Sequence, residues 1–311
     1  MNILYLTHGK PNFEQQHQVK DSIMNLGHKV VYYNYNSFID SPDNQKLQDD
    51  ILRIVEYCNI DTVFAIILKE EIRYETFDIL RKRGVKVACW FSDDHWRYHW
   101  DRPLGTRFWL PHIDYAITTA GVALQWYKKD KFYNVIYSQW AANPDYFMPI
   151  NLPKTIDVVF TGQNVGTRKI MTEELKKRIG NKYKFVTLGN EFDSGRISFN
   201  DYLYAINSAK INIHFANPPQ GILKPIKAKN FEVPMCKAFL LAEYLPELKN
   251  YFNDNEMAYW DGMDDFAEKI DYYLTKGEDE RYDIALNSYN RATREHTWEH
   301  RMKDIFNRIG D

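Results

Sequence analysis

Short, nearly continuous apolar runs alternate with amphipathic stretches along the first half of the chain. Residues 3–6 form the first run, which ends at Thr7-His8-Gly9-Lys10. A helical pattern follows over 13–26, and Gly27 closes it as a C-cap. Residues 29–33 are the next run, 47–57 a second helix, and 62–68 a buried strand. A helix over 70–83 ends at Gly84, and 85–91, 115–118 and 134–137 read as three more strands. Apolar strands without polar alternation, separated by amphipathic helices, predict a parallel sheet covered on both faces. The first half is therefore expected to be a doubly wound α/β domain.

The pattern restarts after a Pro-rich stretch, Asn143-Pro144 and Met148-Pro149-Ile150-Asn151-Leu152-Pro153. That stretch sets the expected domains at 1–150 and 151–311. Strands are expected at 156–160, 184–188, 210–214 and 238–241, with helices over 168–179, up to Met235, and for most of the chain after Asp264. The expected fold is α/β, two doubly wound Rossmann-like domains joined by a hinge and facing an interdomain cleft. Ligands of such sheets bind outside the carboxyl ends of the strands.

Composition narrows the classes. The 311 residues carry 40 Lys and Arg against 42 Asp and Glu, a net charge of −2, which excludes a basic nucleic-acid coater and an acidic solvating tail. Aromatic residues make up 15%, too many for a disordered chain. The three cysteines, Cys58, Cys89 and Cys236, are scattered, which argues against a disulfide framework and fits a reducing cytoplasm. The first residues show neither a basic flank nor a cleavage site, and no apolar run reaches the ~18 residues of a membrane span.

Five segments hold candidate chemistry. The loop Thr161-Gly162-Gln163-Asn164-Val165-Gly166-Thr167-Arg168 lies between a strand and a helix, where backbone N–H groups meet phosphate and Arg168 adds a donor. Leu188-Gly189-Asn190 closes the following strand in a similar way. Ser92-Asp93-Asp94-His95-Trp96-Arg97-Tyr98-His99-Trp100-Asp101 follows the fourth strand. Asp93 or Asp94 there is a candidate general base, and Ser92, Asp93 or Asp94 a candidate helix cap. His95 and His99 are four apart and would share a helix face beside those carboxylates as metal ligands. His8, after the first strand, is a further base or donor candidate. His214, with Asn217 and Gln220 beyond it, ends a second-half strand and is placed either in the core or against a donor molecule.

The longest informative stretch starts at Lys227-Ala228-Lys229-Asn230-Phe231-Glu232 and runs through Glu243-Tyr244-Leu245-Pro246-Glu247-Leu248 and Phe252-Asn253-Asp254-Asn255-Glu256. It ends in His296-Thr297-Trp298-Glu299-His300-Arg301. In this order the segments resemble the C-terminal domain of GT-B glycosyltransferases of the CgeB-like, spore-maturation type, over roughly residues 155–305. Ser138-Gln139-Trp140 through Asp145-Tyr146-Phe147-Met148-Pro149 resembles the hinge segment of the same family. The resemblance implies transfer of a sugar from a nucleotide-diphosphate sugar, UDP-sugar first, with the donor on the second domain, the acceptor on the first, and the last helix packing back toward the first domain. It implies no bound cofactor or metal. Glu232 maps to the residue that holds the donor ribose, and Lys224, Lys227 and Lys229 to the basic positions at the diphosphate, where the family more often has Arg. Gly162, Asn164, Arg168, Gly189 and His214 complete the implied donor site. The acceptor is left open among a glycan, a protein, a small molecule and a modified nucleic-acid base.

Other readings stand beside this one. The same scaffold serves sugar-nucleotide epimerases and hydrolases. Lys224 stands where related enzymes have a second Glu, which fits a catalytically silent binding module. Asp93, Asp94, His95 and His99 together would make a metal-dependent hydrolase.

Overall fold

The computed structural model describes residues 1–9, 14–39, 41, 44–67, 71–100, 104–216 and 223–310. The chain divides into two compact units, one of Met1–Gln139 with Trp298–Asp311 and one of Trp140–Thr297. The division falls before the Pro-rich stretch, so residues 140–150 belong to the second unit and the last helix to the first. Two contacts tie that stretch to the second unit: Ala142 N–H donates to the His296 carbonyl at 3.3 Å, and Ile150 N–H donates to Asn207 Oδ1 at 2.8 Å.

The first unit holds strands β1 (Asn2–Thr7), β2 (Lys29–Asn34), β3 (Thr62–Ile66), β4 (Lys86–Phe91), β5 (Tyr115–Thr118) and β6 (Val135–Tyr137). Its helices are α1 (Glu14–Asn25), α2 (Gln45–Tyr57), α3 (Tyr74–Lys82), α4 (Asp94–Arg97), α5 (Thr106–Trp109) and α6 (Leu124–Lys129). All strand pairs are parallel, in the order β2-β1-β3-β4-β5-β6. Ile3, Leu4, Tyr5 and Leu6 are buried without alternation, as a strand covered on both faces requires.

The second unit holds β7 (Ile156–Thr161), β8 (Phe185–Leu188), β9 (Ala209–His214), β10 (Leu240–Glu243) and β11 (Ala258–Trp260). Its helices are α7 (Thr167–Ile179), α8 (Phe199–Ser208), α9 (Lys229–Met235), α10 (Met263–Thr275) and α11 (Glu278–Glu295). The sheet is again parallel, in the order β11-β10-β9-β7-β8. Both sheets thus start at an inner strand, step outward once, and then reverse. The strand order reverses between β1 and β3 in one sheet and between β7 and β9 in the other, and ligands of such sheets bind at that reversal.

The final helix, α12 (Trp298–Gly310), packs on the first sheet. Phe306 lies 5.2 Å from the His28 ring and 5.8 Å from Phe64, and Trp298 lies 5.5 Å from Trp90. Met302, Ile305, Phe306 and Ile309 are buried one helical turn apart along one face. Among the described residues no helix is long and apolar enough to cross a membrane.

Candidate functional site

In the second unit, the β7/β9 reversal gathers most of the expected donor residues. Gly162 follows β7 and donates its N–H to the Leu188 carbonyl at 2.8 Å. Asn164 donates its backbone N–H to the Asn190 carbonyl at 2.9 Å and its amide to the Glu191 carbonyl at 3.1 Å. The loops after β7 and β8 are thereby tied together, with Gly189 at the crossing. Arg168 stands in the first turn of α7, where burial lowers its pKa and Glu243 opposes the shift. Glu243 ends β10, accepting from the Ala216 N–H at 2.7 Å and from Lys224 Nζ at 2.6 Å.

His214 ends β9 and is 4% exposed, and among the described residues its Nδ1 has no hydrogen-bond partner. Burial, then the charges of Lys229, Arg168 and Lys227, hold its pKa well below the ordinary imidazole range. Lys229 opens α9. Its ammonium donates to the carbonyl of Thr161 and lies 5.0 Å over the Phe160 ring. Burial pushes its pKa down to about 7, Glu232 opposes the shift and Arg168 adds to it. Lys227 joins the group through its charge on His214, while its N–H donates to Asn230 Oδ1 at 3.0 Å. The bond from Lys229 to Thr161 brings the start of α9 to the carboxyl edge of the sheet. Glu232 lies on the next turn, 2% exposed, and its Oε2 accepts from the Tyr202 hydroxyl at 2.7 Å. A cationic set (Arg168, Lys227, Lys229) and a buried carboxylate (Glu232) therefore share the strand edge where a phosphate-bearing ligand would be held.

The first unit has a cavity of about 120 Å³ at its own reversal. His8 after β1, Ile66 and Ile67 at the end of β3, and Phe91, Ser92 and Asp93 after β4 line it, with Arg97, Gly105, Thr106, Trp90 and Trp109. Burial and the Arg97 charge lower the His8 pKa, and Asp93 opposes them, so the imidazole is neutral at pH 7. A neutral imidazole beside a carboxylate is equipped to take a proton from a hydroxyl.

Asp93 and Asp94, adjacent in sequence, have different surroundings. Asp93 lines the cavity, whereas Asp94 is fully buried and accepts from Thr106 Oγ1 and, at 2.7 Å, from the Tyr127 hydroxyl. Burial pushes the Asp94 pKa up to about 6 against those hydrogen bonds. Asp93 occupies the N-cap of α4 without a side-chain capping bond, so the expected cap is not made. The expected pairing of His95 with His99 is not made either. Helix α4 ends at Arg97, which leaves His95 buried and His99 exposed with its ring 4.8 Å from Trp126. Among the described residues no group of three or more His, Cys, Asp or Glu is arranged to hold a metal ion. Lys10, Asp101, Asn217 and Gln220 lie outside the described residues.

Tyr202, which did not stand out in the sequence, and Glu243, noted there only as the start of the Glu243–Leu248 segment, complete the second-unit site. Each acts through a partner 19–30 residues away, beyond any local motif. The one local signal was the Ser198–Asp201 capping box that starts α8 and so places Tyr202.

Residues 168–307 match the family model described as glycosyl transferase-like. No curated protein matches the chain significantly. Among solved structures, a glycosyltransferase from Rickettsia africae is 12% identical with a TM-score of 0.69, covering 99% of this chain and 98% of its own. The sucrose-phosphate synthase of Thermosynechococcus elongatus is 11% identical with a TM-score of 0.68, covering 99% of each chain. HepE of Anabaena, solved with UDP, is 10% identical with a TM-score of 0.65, covering all of both chains. The chain is two parallel-sheet Rossmann-like domains of the GT-B fold.

Proposed function

We propose that the protein is a glycosyltransferase that moves a sugar from a nucleotide-diphosphate sugar to an acceptor hydroxyl without a bound metal. The observation that carries this reading is the cluster of Arg168, Lys227 and Lys229 with Glu232 at the β7/β9 reversal, within the region that matches the glycosyl transferase-like family model. UDP-sugar is the first choice of donor, because the HepE structure holds UDP on the same fold. The ordered motifs between Lys227 and Arg301 favour the CgeB-like type within the family. The free thiols of Cys58, Cys89 and Cys236 favour a cytoplasmic setting.

In this reading the second domain takes the donor. Glu232 accepts hydrogen bonds from the ribose hydroxyls, a vicinal diol suited to a carboxylate. Arg168, Lys227 and Lys229, with the amides of the 162–166 loop, meet the diphosphate; Gly162, Asn164 and Gly189 shape that loop. His214 presents its Nδ1 toward the donor, and Lys224 buttresses Glu243. The bond from the anomeric carbon to the β-phosphate oxygen breaks, and the electron pair leaves with the diphosphate. The cationic cluster stabilises that charge as it develops.

The first domain takes the acceptor, a glycan or small molecule ahead of a protein or a modified DNA base. His8 accepts the proton of the attacking hydroxyl, Asp93 stabilises the imidazolium that forms, and Asp94 holds the loop that carries Asp93.

Incubation with UDP-glucose, UDP-galactose and UDP-N-acetylglucosamine, with and without chelator and a panel of sugar acceptors, tests the reading by the nucleoside diphosphate released. Acceptor-dependent release that survives chelation is expected. Release only in the presence of added metal contradicts the metal-free mechanism. Release that no acceptor accelerates favours a hydrolase or epimerase on the same scaffold.

A further inference from the structure

Glu232 on α9 is tied to Tyr202 on α8. The Tyr202 phenol donates to Glu232 Oε2 at 2.7 Å, and the Thr161 side chain, at the end of β7, acts against the rise in the phenol's pKa. Tyr202 is fixed from its own side. Its helix α8 starts with a reciprocal capping box between Ser198 and Asp201, and its ring meets Phe147 edge-on at 6.1 Å. A carboxylate offers about four lone-pair directions, and a donor on one oxygen sets the plane in which the others point. A side chain with three rotatable bonds otherwise loses that orientation among its rotamers.

We propose that Tyr202 is the positioning residue that aims the Glu232 carboxylate at the donor ribose, and that it thereby sets discrimination between ribo- and 2′-deoxyribonucleotides. The inference rests on the donor site proposed above. Its distinct content is that the hydroxyl of Tyr202, which does not touch the nucleotide, controls recognition of the sugar 2′-hydroxyl. Burial, and then the charge of Glu232, keep the phenol protonated and therefore a donor.

The test is calorimetric. UDP, GDP and ADP are titrated into wild type, and the tightest of them is compared with its 2′-deoxy counterpart in wild type, Tyr202→Phe, Thr161→Val and Glu232→Gln. Wild type should prefer the ribonucleotide by about tenfold or more, the scale of one hydrogen bond to a charged group. Glu232→Gln should remove most of that preference. Tyr202→Phe should reduce it to about threefold or less while leaving 2′-deoxynucleotide affinity within about twofold, which a general loss of packing would not do. Thr161→Val, which keeps every ring in place, should narrow the ratio in the same direction and serves as the deciding variant if Tyr202→Phe does not fold. An unchanged ratio in Tyr202→Phe, or in Thr161→Val where that variant decides, with a collapsed ratio in Glu232→Gln, overturns the role of Tyr202 alone. No binding by any nucleotide, or a ratio that Glu232→Gln leaves intact, overturns the donor site and this inference together.

Discussion

A side-chain carbon on Gly189 would stand 2.0 Å from the carbonyl oxygen of Gly162. The loops after β7 and β8 cross at this point with no room for a methyl group, and Gly189 also holds a φ of +126°. Gly189→Ala must therefore push the 162–166 loop off the sheet edge while straining its own backbone. We expect a loss of at least ~1 kcal/mol in denaturant unfolding. Nucleotide affinity should fall by a larger factor than it does for an exposed control such as Lys169→Ala. Wild-type affinity in Gly189→Ala would mean that the loop takes no part in binding.

The ammonium of Lys229 titrates near neutrality, pushed down to about 7 mainly by burial. A bound diphosphate brings negative charge to it and raises that pKa, so binding takes up a proton. The sign is fixed: affinity for a nucleoside diphosphate falls as pH rises above 7, by at most about tenfold per pH unit. Calorimetry in buffers of different ionisation enthalpy counts the proton directly. Lys229→Arg should bind without that uptake, since a guanidinium stays charged throughout.

His8 is held neutral at pH 7 by burial and by Arg97. In the proposed role of general base it must lose its proton before it can act, so kcat/KM should fall as pH drops below the ordinary imidazole range. His8→Gln should cost roughly 10²–10⁴-fold in rate. Asp93→Asn should cost less and should shift the acid limb to lower pH, because the carboxylate favours the imidazolium. A larger loss in Asp93→Asn than in His8→Gln would transfer the role of base to Asp93.

Most of the fold was legible in the sequence because its strands are buried on both faces. Their apolar runs, such as Ile3 to Leu6 and Val158 to Phe160, are almost unbroken. The exceptions were short or masked by polar neighbours. Strand β11 is only Ala258-Tyr259-Trp260 after a polar run, and α8 looks unremarkable apart from its Ser198–Asp201 cap. The candidate site was legible where its residues are neighbours in sequence, as in the Lys227–Glu232 segment. It was not where a role depends on the fold. Asp93 and Asp94 are equivalent candidates until Thr106 and Tyr127 are seen to enclose one of them. Tyr202 has no signal of its own, since its partner is 30 residues away. The His95–His99 spacing pointed to a shared helix face that a four-residue helix does not provide.

Asp94 makes a prediction about stability. Its carboxyl pKa is raised to about 6 in the folded chain, above the 3.8 of an unperturbed aspartate. The folded state therefore binds the extra proton between those values. The stabilisation from this group is complete below about 4 and is lost as pH rises through 6, on the order of 3 kcal/mol in all. Asp94→Asn should remove that slope from a pH series of unfolding free energies. It should also lower stability near pH 5. The Thr106 and Tyr127 hydroxyls address different oxygens of Asp94, and the amide replaces one of those oxygens by an NH2 donor, so one of the two bonds must reorganise. An unchanged slope in Asp94→Asn would assign the titration to another group.

The central claim is that the second domain binds a sugar nucleotide through Glu232 and the cations around His214. A thermal-shift series with UDP, GDP, ADP and CMP and their common sugar conjugates, run with and without chelator, tests it most directly. One nucleoside diphosphate and its sugar conjugate should raise the Tm, and chelator should leave the shift intact. At about 100 times the dissociation constant the shift corresponds to roughly 2.7 kcal/mol. In Glu232→Ala the affinity should drop by about 1.5–3 kcal/mol. No shift with any nucleotide, or a shift that Glu232→Ala leaves unchanged, would contradict the claim.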